Sequence, residues 1–273
     1  MVDRREKNAK IFQDTEYMYE NHEALKNVVS ASIGGQKLIL SNEKLIVEPK
    51  AEWNKNVVVS GKRTLEASEN YAKKGKKVCV LNFASATNPG GGVVNGSSAQ
   101  EEAICRCSTL YPCLKTNKMW HEFYKPHRSA NNPLYNDDII FTPGVKVFKN
   151  DTNFPELMKE ADWWDVDVIT CAAPNIRRLE GEGGKITNTD LEALLRQRIE
   201  RVFQVAIKNG AEVLILGAFG CGAFRNPPKL VAKAFAEWTK KYGAYFDTIE
   251  YAVFHTEREK ENFEAFKGIF ETK

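Results

Sequence analysis

A Gln-Glu-Glu sequence follows three consecutive glycines after a spacer of seven residues. Of all patterns in the chain, this one indicates a catalytic function most directly. Glycine leaves no side chain between a backbone amide and a ligand, so the amides of Gly90–Gly92 can form a concavity that binds an anion. Glu101 and Glu102 supply carboxyl groups at a predicted helix start, where they are available for acid–base chemistry. Residues 88–102 therefore predict an enzyme that holds a phosphate-bearing sugar and cleaves a bond in it.

A second interpretation of the glutamates is structural. Ser98 and Glu101 have the spacing of a capping box, in which two side chains satisfy backbone amides at a helix start. This accounts for Glu101 but not for Glu102, and helix neighbours about 100° apart can both reach a ligand above the helix end. Together with the glycines, the pair favours catalysis. One carboxylate would orient the sugar, and the other would act as general acid, with its pKa raised by burial and by its neighbour's charge against the helix dipole.

A second glycine-rich segment, Gly217–Phe224, follows another apolar predicted strand. Its three glycines again suggest backbone amides around phosphate, and the rigid ring of Phe224 suits the face of a ribose or base. Phe219 is expected in the core. Cys221 is expected to be a small residue between glycines rather than a nucleophile, because no Cys/His/Asn signature accompanies it.

Other motifs disfavour several function classes. The glycine runs are not G-x-G-x-x-G and do not end in the Gly-Lys-Ser/Thr of a P-loop, which disfavours dinucleotide redox chemistry and nucleoside-triphosphate hydrolysis. Cys105, Cys107 and Cys113 lack the paired spacing of a zinc site, and the four histidines show no metal-binding motif, so we predict no metal. Further candidates for ligand contact, after another predicted strand end, are Asn175, Arg177 and Arg178.

The composition is that of a folded chain with little net charge. Its 273 residues are 42% hydrophobic, and 39 basic against 36 acidic residues give a net charge of +3, too small by itself to indicate nucleic-acid binding. Anion recognition must therefore be local. No apolar stretch approaches the roughly 20 residues that span a bilayer, and the first ten residues lack the apolar core of a secretory signal. Because the six cysteines lie in apolar patterns that fit reduced thiols, we expect a soluble cytoplasmic protein without membrane contact.

Apolar strands alternate with amphipathic helices along most of the chain, which is typical of a sheet covered on both faces. The predicted strands are 37–40, 45–47, 57–59, 77–83, 138–141, 145–148 (after a turn at Pro143-Gly144), 167–172, 212–216 and 249–254. The predicted helices are 3–28, 61–74, 100–113, 188–209, 229–242 and 257–270. We predict one three-layer α/β/α domain over 1–273 with a mixed sheet, in which residues 1 to about 60 form a packed accessory extension that begins with a helix. Ligands bind such sheets at the carboxyl ends of the strands, where both glycine segments are expected.

Together these segments resemble the microbial-type poly(ADP-ribose) glycohydrolases, a branch of the macrodomain superfamily. The motif of that family is a triple glycine, a short spacer and Gln-Glu-Glu; here the spacer has seven residues, Val93–Ala99. The N-terminal helix with Thr15 is also similar, so the resemblance covers nearly the whole chain and implies a macrodomain fold. Further matching stretches are LNFASATNPGGG (81–92), FTPGVKVF (141–148), TCAAPN (170–175) and GAFGCGAFRNPP (217–228).

The resemblance implies roles for individual residues. Glu102 matches the catalytic glutamate, which protonates the leaving oxygen of a ribose–ribose glycosidic bond and then acts as base toward water. Glu101 matches the neighbour that positions ribose hydroxyls. Asn88 is a candidate partner of the scissile ribose, and Ser85 competes for that alignment. No cofactor is implied. The residues that the resemblance places around ADP-ribose are Asn88, Gly90, Gly91, Gly92, Val93, Gln100, Gly220, Cys221, Gly222, Ala223 and Phe224, of which Phe224 would shape the distal ribose pocket.

The implied partners are ADP-ribose and poly(ADP-ribose) on modified proteins, with ADP-ribosylated DNA as a further partner left open. Three functions remain. The first is hydrolysis of poly(ADP-ribose), from chain ends because bacterial-type members look exo-acting. The second is removal of single ADP-ribose units from DNA bases or protein side chains. The third is a non-catalytic reader of ADP-ribose, which the intact Glu101–Glu102 pair disfavours. We expect a monomer.

Overall fold

The chain folds around one mixed β-sheet with helices on both faces. The computed structural model describes residues 3–50 and 56–271. The strands are β1 (Lys37–Ile39), β2 (Val57–Ser60), β3 (Val78–Phe83), β4 (Ile139–Val147), β5 (Trp164–Cys171), β6 (Val213–Leu216) and β7 (Thr248–Ala252). The helices are α1 (Arg4–Asn21), α2 (Glu23–Gly35), α3 (Thr64–Ala72), α4 (Gln100–Cys107), α5 (Leu110–Leu114), α6 (Asn117–Met119), α7 (Lys125–Ala130), α8 (Ile176–Gly181), α9 (Asn188–Lys208), α10 (Pro228–Tyr242) and α11 (Glu261–Phe270). A π-helical turn, Trp120–Tyr124, joins α6 to α7.

The strand order explains why distant loops meet. The sheet runs β1-β4-β5-β3-β6-β7-β2. β5, β3, β6, β7 and β2 are mutually parallel, whereas β4 pairs antiparallel with both β5 and β1. The predicted mixed sheet is thereby confirmed. Because β3 and β6 are adjacent and parallel, the loops that follow them leave the same edge of the sheet.

The alternation of side chains along the strands builds two cores. Val78 and Val80 of β3 pack into a cluster with side chains of α1, α3 and α4. Cys79 and Leu81, which point the other way, pack with side chains of α9, α10 and α11. Both faces of the sheet are therefore covered, as the continuous apolar strands predict. The three-layer α/β/α architecture is confirmed.

The first 60 residues contribute to the sheet as well as to its cover. β1 forms one edge of the sheet and β2 the other. The single predicted helix 3–28 is wrong in detail, because the backbone at His22 is extended (φ −86°, ψ 117°) and separates α1 from α2. This break lets Leu25 join Tyr19 and Phe148 in a small buried cluster. Division of the chain into one domain with an accessory extension stays a prediction.

Two predicted interruptions are placed differently in the structure. The helix predicted over 100–113 breaks after Cys107, because Ser108 is extended and bridges Val147. Conversely, the turn predicted at Pro143-Gly144 is a bulge inside β4, whose two halves both pair with β5. Both the helix break and the bulge result from pairing with a strand that is distant in sequence. The local sequence pattern does not reveal such pairing.

The remaining elements differ from prediction mainly in their ends. Residues 45–47 form no strand. The last helix begins at Glu261 rather than residue 257, and β5 begins at Trp164 rather than residue 167. Helices α6, α7 and α8 were not predicted. In the part of the chain that the structure describes, no helix has both the length and the apolar character needed to cross a bilayer.

Candidate active site

The loop between β3 and α4 (residues 84–99, called the first loop) wraps closely around the two glutamates. Gly91 has a left-handed backbone (φ +61°), and a Cβ atom built on it would lie 2.5 Å from Glu102 Oε1 and 3.0 Å from Glu101 Oε2. Only glycine combines this conformation with this approach. The Gly91 amide donates to Asn88 O at 3.0 Å, which closes the turn. The triple glycine therefore brings the backbone of the first loop against both carboxyl groups.

Glu102 is held by the first loop. Its Oε1 accepts the backbone N–H of Gly92 at 2.9 Å, and the residue is 7% exposed. The other carboxyl oxygen has no hydrogen bond within the described chain, and Glu102 lines the cavity described below. One oxygen of Glu102 is thus anchored, while the other is available to a ligand.

Glu101 is more deeply fixed. Its Oε2 accepts the Ser85 N–H at 2.7 Å, and its Oε1 lies 3.4 Å from Asn82 Nδ2. Glu101 is 3% exposed, and this burial, together with the neighbouring charge of Glu102, raises the pKa of Glu101 to about 8 against the opposing effect of the Ser85 hydrogen bond. Glu101 is therefore protonated at neutral pH. The sequence predicts the raised pKa for the general acid; in the structure Glu101, which matches the positioning residue, has it instead.

The capping-box interpretation is wrong. Helix α4 has Ala99 at its N-cap position and no side-chain cap, and the carboxyl group of Glu101 is engaged by Ser85 instead. The side chain of Gln100 fastens the helix start to the sheet. Its Nε2 donates to Leu81 O at 2.7 Å and to Thr64 Oγ1 at 3.0 Å, and its Oε1 accepts from Phe83 N at 2.8 Å. Gln100 therefore sets the position of the glutamate pair relative to β3.

Helix α1 supports the same loop from behind. The buried Asn8 donates to Gly96 O at 3.0 Å, and Thr15 Oγ1 donates to Arg106 O at 2.6 Å. Gly96 itself abuts the backbone of Arg5, which leaves no room for a side chain. The similarity of the N-terminal helix noted from Thr15 thus corresponds to a direct contact with the helix that carries the glutamates.

The loop between β6 and α10 (residues 217–227, called the second loop) lies opposite the first. Gly220 is left-handed (φ +72°) and packs against Ala173 and Asn226. Asn226 Nδ2 donates to Gly220 O at 3.0 Å and to Pro174 O at 2.8 Å, which ties the second loop to the segment after β5. Phe219 is fully buried, as expected. Burial raises the pKa of the Cys221 thiol, so the nucleophilic thiolate is disfavoured at neutral pH.

The two loops and the glutamates enclose a cavity of about 340 Å³. This volume lies within the range of small-ligand sites. Of the predicted site residues, its lining includes Gly91, Gln100, Glu101, Glu102, Gly220, Gly222, Ala223 and Phe224. Residues from three separate stretches of sequence therefore meet at one site.

The other predicted contacts lie outside the lining of the cavity. Gly90, Gly92 and Cys221 belong to the two loops but do not face it. Val93 is fully buried among side chains of the α1/α3/α4 core. Asn88 is exposed, with its Oδ1 bonded to Arg128, whereas the competing Ser85 lines the cavity. In the free protein the geometry therefore favours Ser85 over Asn88 as the residue that would contact a ligand in the cavity.

Sequence reasoning missed one end of the cavity. Lys62, Arg63 and Asp151 line it, as do Phe254 and Asn262. The guanidinium of Arg63 lies 4.0 Å from the centroid of the Phe254 ring. Since Phe254 follows β7 and Arg63 follows β2, the rule that sites lie at carboxyl ends of strands was sufficient to find both. Among the described residues no three His, Cys, Asp or Glu side chains come together as a metal site would require.

A mixed sheet covered on both faces, with two glycine-rich loops and a carboxyl pair at its carboxyl edge, defines a macrodomain-like protein with an acid–base site. The family model for the microbial-type PARG, catalytic domain, matches residues 6–150. The chain belongs to this family, whose name abbreviates poly(ADP-ribose) glycohydrolase.

Solved structures give the same result over more of the chain. Poly(ADP-ribose) glycohydrolase from Thermomonospora curvata, bound to the inhibitor ADP-HPD, is 31% identical with a TM-score of 0.85, covering 97% of this chain and 99% of that one. The enzyme from Deinococcus radiodurans, in complex with ADP-ribose, is 29% identical with a TM-score of 0.77, covering 89% of this chain and 96% of that one. Among curated proteins no relative matches.

Proposed function

We infer that the protein is a poly(ADP-ribose) glycohydrolase, a glycosidase that hydrolyses the ribose–ribose O-glycosidic bond and releases ADP-ribose. The observation that carries this function is the placement of Glu102. One of its oxygens is held by Gly92 N–H at 2.9 Å, and its carboxyl group borders a cavity between two glycine-rich loops. Family membership and the similar enzymes that bind ADP-ribose or ADP-HPD supply the identity of the sugar.

The two loops bind the substrate in this proposal. Backbone amides of Gly222 and Ala223, which line the cavity, bind the diphosphate, and the first loop contributes the close approach of Gly91. The amides of Gly91 and Gly92 already donate to Asn88 O and Glu102 Oε1. Phe224 covers the distal ribose. Ser85 is proposed to meet the scissile ribose, with Asn88 reaching it only if its bond to Arg128 opens. Gln100 holds α4 in place, and Val93 anchors the first loop in the core. Cys221 contributes only its backbone to the second loop.

Glu102 performs the bond cleavage. It donates a proton to the leaving ribose oxygen as the bond from the anomeric carbon to that oxygen breaks, which leaves an oxocarbenium-like ribose. Water then adds to the anomeric carbon, and its proton returns to Glu102, which is thereby reset. The reaction as written uses neither a metal nor a cofactor.

The protonation states divide the work between the two carboxyls. Glu101, neutral at pH 7, positions the ribose hydroxyls through hydrogen bonds and adds no second negative charge beside Glu102.

We further propose that the enzyme acts from chain ends, as a monomer, in the cytoplasm. Both loops and both glutamates come from one chain, so the site needs no second copy. The six cysteines are all unpaired, which suits a reducing compartment.

The test offers the purified protein three substrates: poly(ADP-ribose), a protein carrying single ADP-ribose units, and ADP-ribosylated single-stranded DNA. Liquid chromatography of the products is expected to show ADP-ribose released fastest from the polymer, with monomeric ADP-ribose appearing before short oligomers. Release only from singly modified protein or DNA would replace the function with mono-ADP-ribosyl hydrolysis. Binding of ADP-ribose without any release would make the protein a reader.

A further inference from the structure

Three exposed arginines lie beside the two loops that border the cavity, at what we call its mouth, and have no part in the hydrolysis described above. The first is Arg128, whose Nη2 donates to Thr87 O at 2.9 Å and also bonds Asn88 Oδ1. The carbonyl of Asn88 in turn accepts from the amide of Gly91, and the next amide, that of Gly92, donates to Glu102. Arg128 therefore lies on the outer edge of the first loop, next to the end of the cavity where the glutamates are.

The other two arginines flank the second loop. Arg225 directly follows Phe224, which lines the cavity, and the amide of Arg177 donates to Phe224 O at 3.1 Å. Both residues are exposed. Neither side chain makes an ion pair or hydrogen bond with any part of the chain that the structure describes. The second loop thus presents two uncommitted cations at its outer edge.

The three segments that carry these arginines have an excess of positive charge. Residues 117–136, 176–184 and 222–229 contain seven basic and three acidic residues, a net charge of +4, whereas the whole chain carries +3. The rest of the molecule is therefore close to neutral. Together with Lys62 and Arg63, which line the other end of the cavity, these segments attract a polyanion.

Backbone strain marks the same region. Within the described residues, the positive-φ residues other than glycine are Asn131 (51°), Tyr135 (56°) and Arg225 (61°). Two contacts lie among them: Arg178 bonds Asn131, and the Tyr135 ring lies 6.3 Å from that of Phe224, the residue before Arg225. A left-handed aromatic residue is unfavourable and persists only where surrounding contacts hold it. Strain of this kind is concentrated at functional sites.

Aromatic rings accompany the cations. The guanidinium of Arg128 lies 5.0 Å from the centroid of the Trp120 ring, which fixes its plane. Tyr135 and Phe224 form a second aromatic surface next to Arg225. Planar guanidinium groups bind phosphate oxygens in pairs, and aromatic faces stack on bases. The mouth therefore has guanidinium groups that can bind the diphosphate of a nucleoside diphosphate and aromatic rings that can stack on its base.

We propose that Arg128, Arg177 and Arg225 form a leaving-unit subsite, which binds the diphosphate of the ADP-ribose unit on the far side of the scissile bond. The proposal rests on the proposed function, because that bond joins the ribose held at Glu102 to the next unit of the polymer. The next unit leaves the cavity beside the first loop, where Arg128 stands, and carries a diphosphate and an adenine. The subsite makes the polymer a better substrate than ADP-ribose attached to an uncharged group.

The test compares two substrates with the same ADP-ribosyl part. One is poly(ADP-ribose), and the other is ADP-ribose that carries an uncharged aryl leaving group on its anomeric carbon. In the triple variant Arg128→Gln/Arg177→Gln/Arg225→Gln, the ratio of kcat/KM for the polymer to kcat/KM for the aryl compound is expected to fall by about tenfold, since each exposed cation contributes little alone. The dependence of polymer cleavage on salt concentration is expected to become shallower as well. The matched control is Arg196→Gln, an exposed arginine on α9, for which the ratio is expected to stay constant.

Several outcomes separate this proposal from the proposed function. An unchanged ratio in the triple variant, with wild type active on polymer, overturns the subsite and leaves the function standing. A loss of equal size on both substrates also overturns it, because the arginines would then act on the loops alone. A loss confined to ADP-ribosylated single-stranded DNA would assign the arginines to nucleic acid instead. A wild type that cleaves the aryl compound but not the polymer overturns both.

Discussion

The α-carbon of Gly91 lies so close to Glu102 that a methyl group placed on it would come 2.5 Å from Oε1 of that glutamate. The next residue, Gly92, donates its amide to the same oxygen. The first loop, which is proposed to bind diphosphate, is therefore in direct contact with the carboxyl group that is proposed to deliver the proton. We expect a substitution in this loop to displace the carboxyl group of Glu102.

Gly91→Ala tests this coupling. The substitution adds a methyl group against Glu102 and places alanine at φ +61°, so the loop or the carboxyl group must shift. Because misplacement by about 1 Å costs about a hundredfold in rate, we expect kcat on poly(ADP-ribose) to fall by at least about that factor. Gly34→Ala in α2 is the matched control, since a Cβ atom there meets nothing within 4 Å. Similar activities of the two variants would contradict the coupling.

Glu101→Gln tests the protonation state of the buried carboxyl. The pKa of Glu101 is raised from 4.5 to about 8 in the folded protein, so between these values the folded state keeps a proton that the unfolded state has lost. Stability contributed by this group is therefore fully present below pH 4.5 and is lost as pH rises toward 8. We expect the Tm of wild type to fall relative to that of Glu101→Gln across this window.

Thermal unfolding of both proteins at pH 4.5, 6 and 8 measures this difference. The two Tm values are expected to lie closest at the lowest pH, where Glu101 of wild type is protonated in the folded state and half protonated in the unfolded state. A constant offset at all three pH values would mean that Glu101 is ionised in the folded protein.

Asn8→Ala tests the support that α1 gives to the first loop. The substitution removes the donor to Gly96 O, which costs about 1–3 kcal/mol when a buried acceptor is left unpaired. Chemical denaturation is expected to show this loss, and kcat is expected to fall because the first loop is no longer held. The control is Asn21→Ala on the same helix, an exposed residue whose side chain bonds only the carbonyl of Tyr17. Equal stability of the two variants would exclude the supporting role.

Gln100→Glu tests the fastening of α4 to the sheet. The new carboxylate replaces an amide that donates to Leu81 O and Thr64 Oγ1, and it faces the Leu81 carbonyl without a donor. We expect a free-energy loss of about 1–3 kcal/mol, larger above the pKa of the new group. Gln13→Glu, on the exposed side of α1, is the matched control. A loss no greater than that of the control would show that Gln100 does not hold the helix.

The parts of the fold that were predictable from sequence are those determined by local pattern. Helix α9 was predicted to within one residue, since its apolar stripe is long and ends at Asn209. Strand β3 was also predicted, because it is apolar on both faces. By contrast, the break at Ser108 and the bulge at Gly144 depend on pairing with Val147 and with β5. Such contacts between distant segments have no local signature.

In the candidate site, too, the features set by local sequence were predictable and those set by distant contacts were not. The glutamate pair and both glycine segments were identified from residue type and spacing, and the structure brings them to one cavity. The sequence left Asn88 and Ser85 open as candidate partners of the scissile ribose; in the structure Asn88 is bonded to Arg128, a residue of an unpredicted helix, and only Ser85 lines the cavity. Similarly, the raised pKa of Glu101 results first from its burial and then from the neighbouring charge of Glu102, and spacing alone does not reveal the burial.

The central claim is that Glu102 is the general acid and base. Single-turnover release of ADP-ribose from poly(ADP-ribose) should be measured for wild type and Glu102→Gln, with ADP-ribose affinity measured for both by calorimetry. Glutamine preserves the acceptor for Gly92 N–H but carries no transferable proton, so release is expected to slow by about a hundredfold or more while affinity changes little. Wild-type release rates in Glu102→Gln would contradict the assignment.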